Sequence, residues 1–262
     1  MPKKRNVKKN YYEEIDQNDD FFREYDTNVN NKKTTYPHFK LEAKFKNKKQ
    51  KEMHDLIINN RITFVKGPAG TGKTFVALLT GLELLKDQKV NLNQIVLTKP
   101  IVEIKSQSGI GALPGDLTEK TIGYFSYFYD NLIKIVGNDC SKFLKNAGYI
   151  KENVLNFVRG STFGTYDSLG TPIGSFCLLD EAQNTTINEM KTFISRMGEQ
   201  TKLIILGDPD QCDLIFKNGE KNGFDDAMNR LTNIDGIGIF EFNEDDIVRD
   251  PLLIEIMKRY KK

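Results

Sequence analysis

Apolar and polar positions change period repeatedly along the chain, and each change marks an element. From about Lys46 to Ile58, Met53, Leu56 and Ile57 recur at i, i+3 and i+4. That spacing predicts a helix, which Asn59 and Asn60 suit as a cap or turn. ITFVKG (62–67) is a short apolar run closed by glycine and reads as a strand. TFVALLTGLELLKDQK (74–89) carries a helical apolar face, and IVLTKP (95–100) is a second strand stopped by Pro100. GYFSYFYDNLIKIVG (123–137) predicts a helix with an aromatic stripe of Tyr124, Phe125, Phe128 and Tyr129. FCLLDE (176–181), KLIILGD (202–208) and GIGIFEF (236–242) supply three more strands. INEMKTFISRMG (187–198) and residues 250–260 supply two more helices.

The middle strands are continuous apolar runs rather than alternating ones. Strands buried on both faces have that appearance, so the expected fold is α/β: a mostly parallel sheet of about five strands flanked by helices. Residues 1–44 show no sustained period and many charges, and they read as a disordered or loosely docked basic tail before a core at 45–262. Within the tail, FFREYD (21–26) could dock on the core or a partner. Charge is unevenly distributed along the chain. Residues 1–51 hold 14 Lys/Arg against 8 Asp/Glu, whereas the rest holds 24 against 28.

Composition then excludes several classes. No window approaches the ~20 apolar residues of a membrane span. The basic start MPKKRNVKKN has no apolar stretch behind it and does not read as a secretory signal. Cys140, Cys177 and Cys212 are widely separated, so neither a zinc site nor a disulfide framework is expected, and a reducing cytoplasm is the simplest compartment. His38 and His54 show no partner pattern.

Candidate chemistry sits between these elements. GPAGTGKT (67–74) matches G-x-x-x-x-G-K-[ST] in full, with a strand before it and a helix after it. Gly67, Gly70 and Gly72 let backbone N–H groups converge on phosphates, and the following helix points its positive end at the same anion. Pro68, Ala69 and Thr71 complete the loop, and Phe75 opens the helix. Lys73 can reach the outer phosphates, and Thr74 can offer a hydroxyl to Mg²⁺. LLDEAQN (178–184) ends a strand in Asp180, a metal ligand directly or through water, and Glu181, which would polarise the attacking water. Read alone, this pair also suits an acidic helix start. LIILGDPDQ (203–211) brings Gly207, Asp208 and Gln211 to the edge where α/β sheets bind ligands. Gln211 would sense the γ-phosphate or the water there, although the same residues also suit a plain turn. In LTKPIVE (97–103), Thr98 and Lys99 end a strand where a polymer backbone could touch.

These strings, with GALPGDLTEK, ISRMGEQTKLIILGDPDQ and DDIVRDPLLIEIMKRY, resemble the PhoH family of phosphate-starvation-type ATPases of bacteria and their phages. The resemblance covers about Phe45 to Tyr260. It implies a RecA-like sheet close to the ATPase core of superfamily 1 helicases, with ATP and Mg²⁺ as ligands. It assigns the nucleotide, metal and hydrolysis roles to Lys73, Thr74, Asp180, Glu181 and Gln211, and adenine recognition to Gln50. The charged N-terminal stretch departs from the family pattern.

Helicases of that superfamily use two such cores, and one is visible here. Phosphoryl transfer gains from an arginine on the transferred group, so an arginine from a flexible element or from a neighbouring copy is expected. Arg196 and Arg249 are the leading candidates and Arg159 the third, which implies a homo-oligomeric ring, a hexamer being one form. The leading functional expectation is an ATPase coupled to RNA or single-stranded DNA through lysine runs such as KFKNKKQK (44–51). A nucleotide-driven assembly switch and a P-loop kinase are the alternatives.

Overall fold

The computed structural model describes residues 38–87, 89–101, 117–158, 160, 162–214 and 221–248, together with 252, 255 and 259. Helix α1 (Lys48–Asn59) leads into β1 (Ile62–Lys66), α2 (Lys73–Lys86), β2 (Leu92–Lys99) and the long α3 (Leu117–Val136). Then follow α4 (Asn138–Asn146), β3 (Ile150–Val154), β4 (Thr165–Tyr166), β5 (Pro172–Leu179), α5 (Ile187–Ile194), β6 (Lys202–Gly207), α6 (Gly223–Leu231) and β7 (Ile237–Glu241).

The sheet runs β3-β2-β5-β6-β1-β7, and the short β4 adds to β5. Every pairing on the main path is parallel, and β4 alone is antiparallel. Both faces are buried. On one face Phe176, Leu178, Ile204 and Leu206 pack with Met53, Leu78, Phe125 and Phe128 from α1, α2 and α3. On the other, Cys177, Leu179, Leu203 and Ile205 pack with Met190, Phe193 and Phe224 from α5 and α6. Successive strand residues feed opposite layers, which is why the central strands are apolar throughout. Helix α2 passes close over β5: a Cβ on Gly81 would stand 2.8 Å from the Phe176 ring.

The five expected strands are present, and the α/β class holds. Two strands and two helices escaped the sequence pattern. Edge strand β3 reads IKENV, with solvent on its middle residues, so no apolar run announces it. Helix α3 starts before residue 123, and α5 stops at Ile194 rather than Gly198 because Met197 bridges to Phe163. The tail reading changes at its end. Phe39 is buried, Leu41, Ala43 and Phe45 pack beside it, and the Glu42 N–H donates to the Ile135 carbonyl at 2.8 Å. The alternation of residues 39, 41, 43 and 45 explains this packing. The segment 21–26 and the start of GALPGDLTEK, residues 111–116, lie outside the described residues, as does nearly all of 250–260.

Lys202 ties α1 to the start of β6. Its ammonium donates to the carbonyls of Ile57, Ile58 and Asn60 at 3.0, 2.8 and 2.7 Å, capping the negative end of α1. Replacing Lys202 by Met should lower unfolding free energy by about 1–3 kcal/mol, read from denaturant melts, because three carbonyls lose a charged donor.

Candidate nucleotide site

Parallel pairing delivers the ends of β1, β5 and β6 to one edge of the sheet. Lys66 stands opposite Gly207, and Leu179 opposite Ile205. Beyond these ends lies a cavity of ≈ 680 Å³ lined by the phosphate loop, Asp180, Glu181, Gln183, Asp208 and Gln211. Gln50, Phe75, Tyr127, Asn131, Lys134 and Val248 also line it, as do Ala43, Lys44 and Lys46.

The loop between β1 and α2 turns through Gly67, Gly70 and Gly72, all at positive φ. Gly72 caps α2 in the left-handed region at φ 87, where a side chain is strained. The Lys73 ammonium bends back onto its own loop, donating to the carbonyls of Gly67 at 2.5 Å and Pro68 at 3.0 Å. Thr74 Oγ1 donates to Asp180 Oδ2 at 2.6 Å, joining the phosphate loop to the end of β5.

Asp180 is 5% exposed. Its Oδ1 accepts the Glu181 N–H at 2.9 Å, and its Oδ2 also accepts the Tyr127 hydroxyl at 2.7 Å. Glu181 follows in the left-handed region at φ 56, a conformation that costs a non-glycine residue ~1–3 kcal/mol and often marks functional sites. Its carboxylate accepts the Gln183 side-chain N–H at 2.6 Å. Burial, then the neighbouring Asp180 charge, raises the Glu181 pKa, while the Gln183 bond, Lys99 and Lys73 oppose the rise. The result is a carboxylate more basic than usual.

A hydrogen-bond chain continues across the edge. Gln183 accepts the Asp208 N–H at 3.0 Å and donates to the Gln211 carbonyl at 3.3 Å. The Gln211 side chain donates to Asp208 Oδ2 at 2.6 Å, and the same oxygen accepts the Ala69 N–H at 3.1 Å. Asp208 thus places an anion against a phosphate-loop N–H.

Gln50 is 1% exposed and braces the loop. Its amide donates to the Thr71 carbonyl at 3.0 Å and accepts the Lys46 N–H at 2.8 Å. Lys99 stands with its ammonium 4.9 Å from the ring centroids of both Tyr124 and Tyr127. The Tyr124 hydroxyl donates to the Pro100 carbonyl. Burial and Glu181 push its pKa up to about 12, and burial and Asp180 raise that of Tyr127 further.

Thr74 and Asp180 offer hard oxygens, which suit Mg²⁺. Among the described residues no group of three or more His, Cys, Asp or Glu side chains could hold a metal. Mg²⁺ takes one or two protein oxygens and completes its shell from phosphates and water.

One expected residue lies away from the site. Arg196 lies just before β6, where its carbonyl accepts the Phe163 N–H. That is the opposite edge of the sheet, six residues of strand away, about 20 Å at ~3.3 Å per residue. A role for Arg196 in its own chain's cavity is therefore corrected. Arg249 lies outside the described residues, as does Arg159; the residue before Arg249, Val248, donates its N–H to the Gly70 carbonyl at 2.9 Å. In the aromatic stripe, Phe125 and Phe128 are core residues. The sequence reading missed Gln183, Tyr127, Asn131 and Lys134. Tyr127, Asn131 and Lys134 sit at helical spacing, but nothing in that period shows which cavity they line.

A phosphate loop on a parallel sheet, with an acidic strand end brought to its threonine, defines the chain as a P-loop NTPase fold. The model of the family described as PhoH-like protein matches residues 42–261, and the chain belongs to that family. It is 38% identical over 213 residues to a PhoH-like protein of Bacillus subtilis (strain 168), covering 81% of this chain and 62% of that protein. It is 32% identical over 206 residues to Protein PhoH of Escherichia coli (strain K12), covering 78% and 54% respectively. The chain thus spans somewhat more than half the length of these relatives. Among solved structures, the UvsW helicase from Bacteriophage T4 aligns with TM-score 0.43 and 14% identity over 78% of this chain and 62% of that one. So low a score supports no functional argument.

Gly72→Ala should disturb both strain and contact. Its Cβ would meet Gln50 Nε2 at 2.6 Å in a left-handed backbone. The expected outcome is a loss of about 1–3 kcal/mol in denaturant melts, together with weaker nucleotide binding in a fluorescence titration.

Proposed function

We propose that this chain is a Mg²⁺-dependent ATPase that couples hydrolysis to single-stranded nucleic acid, RNA or DNA, as a homo-oligomer. The observation that carries the hydrolytic part is the acidic pair after β5. Asp180 is tied to Thr74 of the phosphate loop, and Glu181 stands beside it with its carboxylate oriented by Gln183. A half-buried, more basic carboxylate at the mouth of a phosphate loop suits taking a proton from the attacking water.

In this reading the loop from Gly67 to Thr74 wraps the phosphates. Lys73 exchanges its two carbonyl contacts for phosphate oxygens, and Phe75 and Gln50 bound the rest of the nucleotide. Gln211 leaves Asp208 to meet the γ-phosphate or the water. Thr74 and Asp180 would hold Mg²⁺, which when bound neutralises charge on the phosphates.

Among the described residues no arginine lines the cavity, although Lys44, Lys46, Lys73 and Lys134 do. A finger arginine is typically worth ~10³–10⁵ in rate. We therefore assign it to Arg249 or to Arg196 of a neighbouring copy. A closed ring such as a hexamer gives every site such a neighbour. The nucleic-acid part rests on lysines. A second cavity of ≈ 580 Å³ shares Ala43, Lys44 and Lys46 with the first and adds Lys48 and Lys51. Lysines so placed suit a phosphate backbone. A charged stretch, with 8 Lys/Arg against 7 Asp/Glu before Phe39, followed by an ATPase core, is the proposed organisation, with the core beginning at Phe39 rather than at residue 45. Among the described residues no helix is long and apolar enough to cross a membrane.

ATP turnover with Mg²⁺, with and without single-stranded RNA and DNA, tests this reading. The expected result is basal turnover raised by one polymer and lowered about 10²-fold or more in Glu181→Gln, which should still bind ATP. Turnover indifferent to both polymers would remove the nucleic-acid part. ATP binding without turnover under any condition would point instead to an assembly switch.

A further inference from the structure

We propose that Tyr127 is a positioning residue for the metal-binding carboxylate. Its hydroxyl locks Asp180 in the orientation that grips Thr74, so Tyr127 sets how strongly Mg²⁺ tightens nucleotide binding. This rests on the nucleotide and metal reading given above.

Aspartate χ2 is a broad, roughly two-fold torsion, so rotamer preference alone does not fix which oxygen faces the phosphate loop. Hydrogen bonds must do so. Asp180 Oδ2 accepts two hydroxyls, Thr74 at 2.6 Å and Tyr127 at 2.7 Å, from different helices. Short bonds from hydroxyls to an ionised oxygen are charge-assisted and are the stronger class. Together they fill the two lone-pair sites of Oδ2. Oδ1, which among the described residues accepts the Glu181 N–H alone, at 2.9 Å, keeps acceptor capacity for a metal-bound water. Without the Tyr127 hydroxyl, Oδ2 regains a free site, and the carboxylate can turn and share Thr74 between two orientations.

Tyr127 is itself held in place. Its ring centroid lies 4.2 Å from that of Phe128, in the core. The Lys99 ammonium lies over its ring, 4.9 Å from the centroid. Its carbonyl accepts the Asn131 amide one turn on, at 2.8 Å. A hydroxyl delivered by a helix braced in this way is preorganised toward Asp180, as outer-shell partners of metal ligands are. Helix α3 belongs to none of the phosphate-loop, DEAQ or GDPDQ segments, so this contact adds a fourth element to the site.

The test is binding of a fluorescent ATP analogue across a Mg²⁺ series and in EDTA, for the wild-type chain, Tyr127→Phe and Tyr124→Phe. Tyr127→Phe should bind the analogue in EDTA as wild type does. It should need about 10–100-fold more Mg²⁺ to reach half of the metal-dependent gain in affinity. Tyr124→Phe, whose lost hydroxyl served the Pro100 carbonyl, should match wild type in both. An unchanged Mg²⁺ requirement in Tyr127→Phe, or an equal loss with and without Mg²⁺, would overturn the positioning role. If wild type itself gains no affinity from Mg²⁺, the nucleotide–metal reading fails and takes this proposal with it. A wild-type gain with an unaltered Tyr127→Phe sinks the proposal alone.

Discussion

The parallel register of β1, β6 and β5 is the constraint on which the site depends. Because the three strands run the same way and stay in step, Lys66, Gly207 and Leu179 finish at one edge. The insertion of β6 between the other two sets the spacing. Strands lie ~4.8 Å apart, so Asp180 sits about two strand widths from the end of β1, and Asp208 and Gln211 occupy the middle. Helix α2 then crosses from the phosphate loop toward β5, close enough over Phe176 to require Gly81, and brings Thr74 to Asp180. A slip of β6 by one residue would exchange its two buried faces as well as moving Asp208. The core packing and the site geometry are therefore specified together.

The loop that this edge supports is held by its own polar groups. The Ala69 N–H has Asp208 as its acceptor, Lys73 has two loop carbonyls, and Gln211 has Asp208. Groups of this kind seldom go unpaired when withdrawn from water. A phosphate entering here exchanges existing bonds for its own, and an anionic phosphate near Ala69 competes directly with the Asp208 carboxylate. Gln183 links the two sides of that exchange, because it holds the Glu181 carboxylate with one end and the Asp208 backbone with the other. A shift of Asp208 would be felt at Glu181 through a single side chain.

What the sequence revealed follows from which constraints are local. The phosphate loop was legible because its glycines answer a backbone requirement written within eight residues. The central strands were legible because burial on both faces leaves an unbroken apolar run, as in LIILGD. Edge strand β3 was not, since half its surface meets water. Tyr127 and Gln183 were illegible as site residues for another reason. Their partners, Asp180 at 53 residues' distance and Asp208 at 25, are chosen by tertiary packing. Arg196 shows that closeness in sequence does not place a residue at its own chain's site. It precedes a site strand closely in sequence, but a parallel strand begins at the edge away from the site.

The most direct test of the account is calorimetric titration of ATP in Mg²⁺ into the wild-type chain and into Lys73→Ala. If the strand ends and the phosphate loop form a single nucleotide site, wild type binds one nucleotide per chain, and the variant binds about tenfold more weakly or worse, as expected for a lost charge-assisted contact. Absence of binding to wild type, or equal affinity in Lys73→Ala, would contradict it.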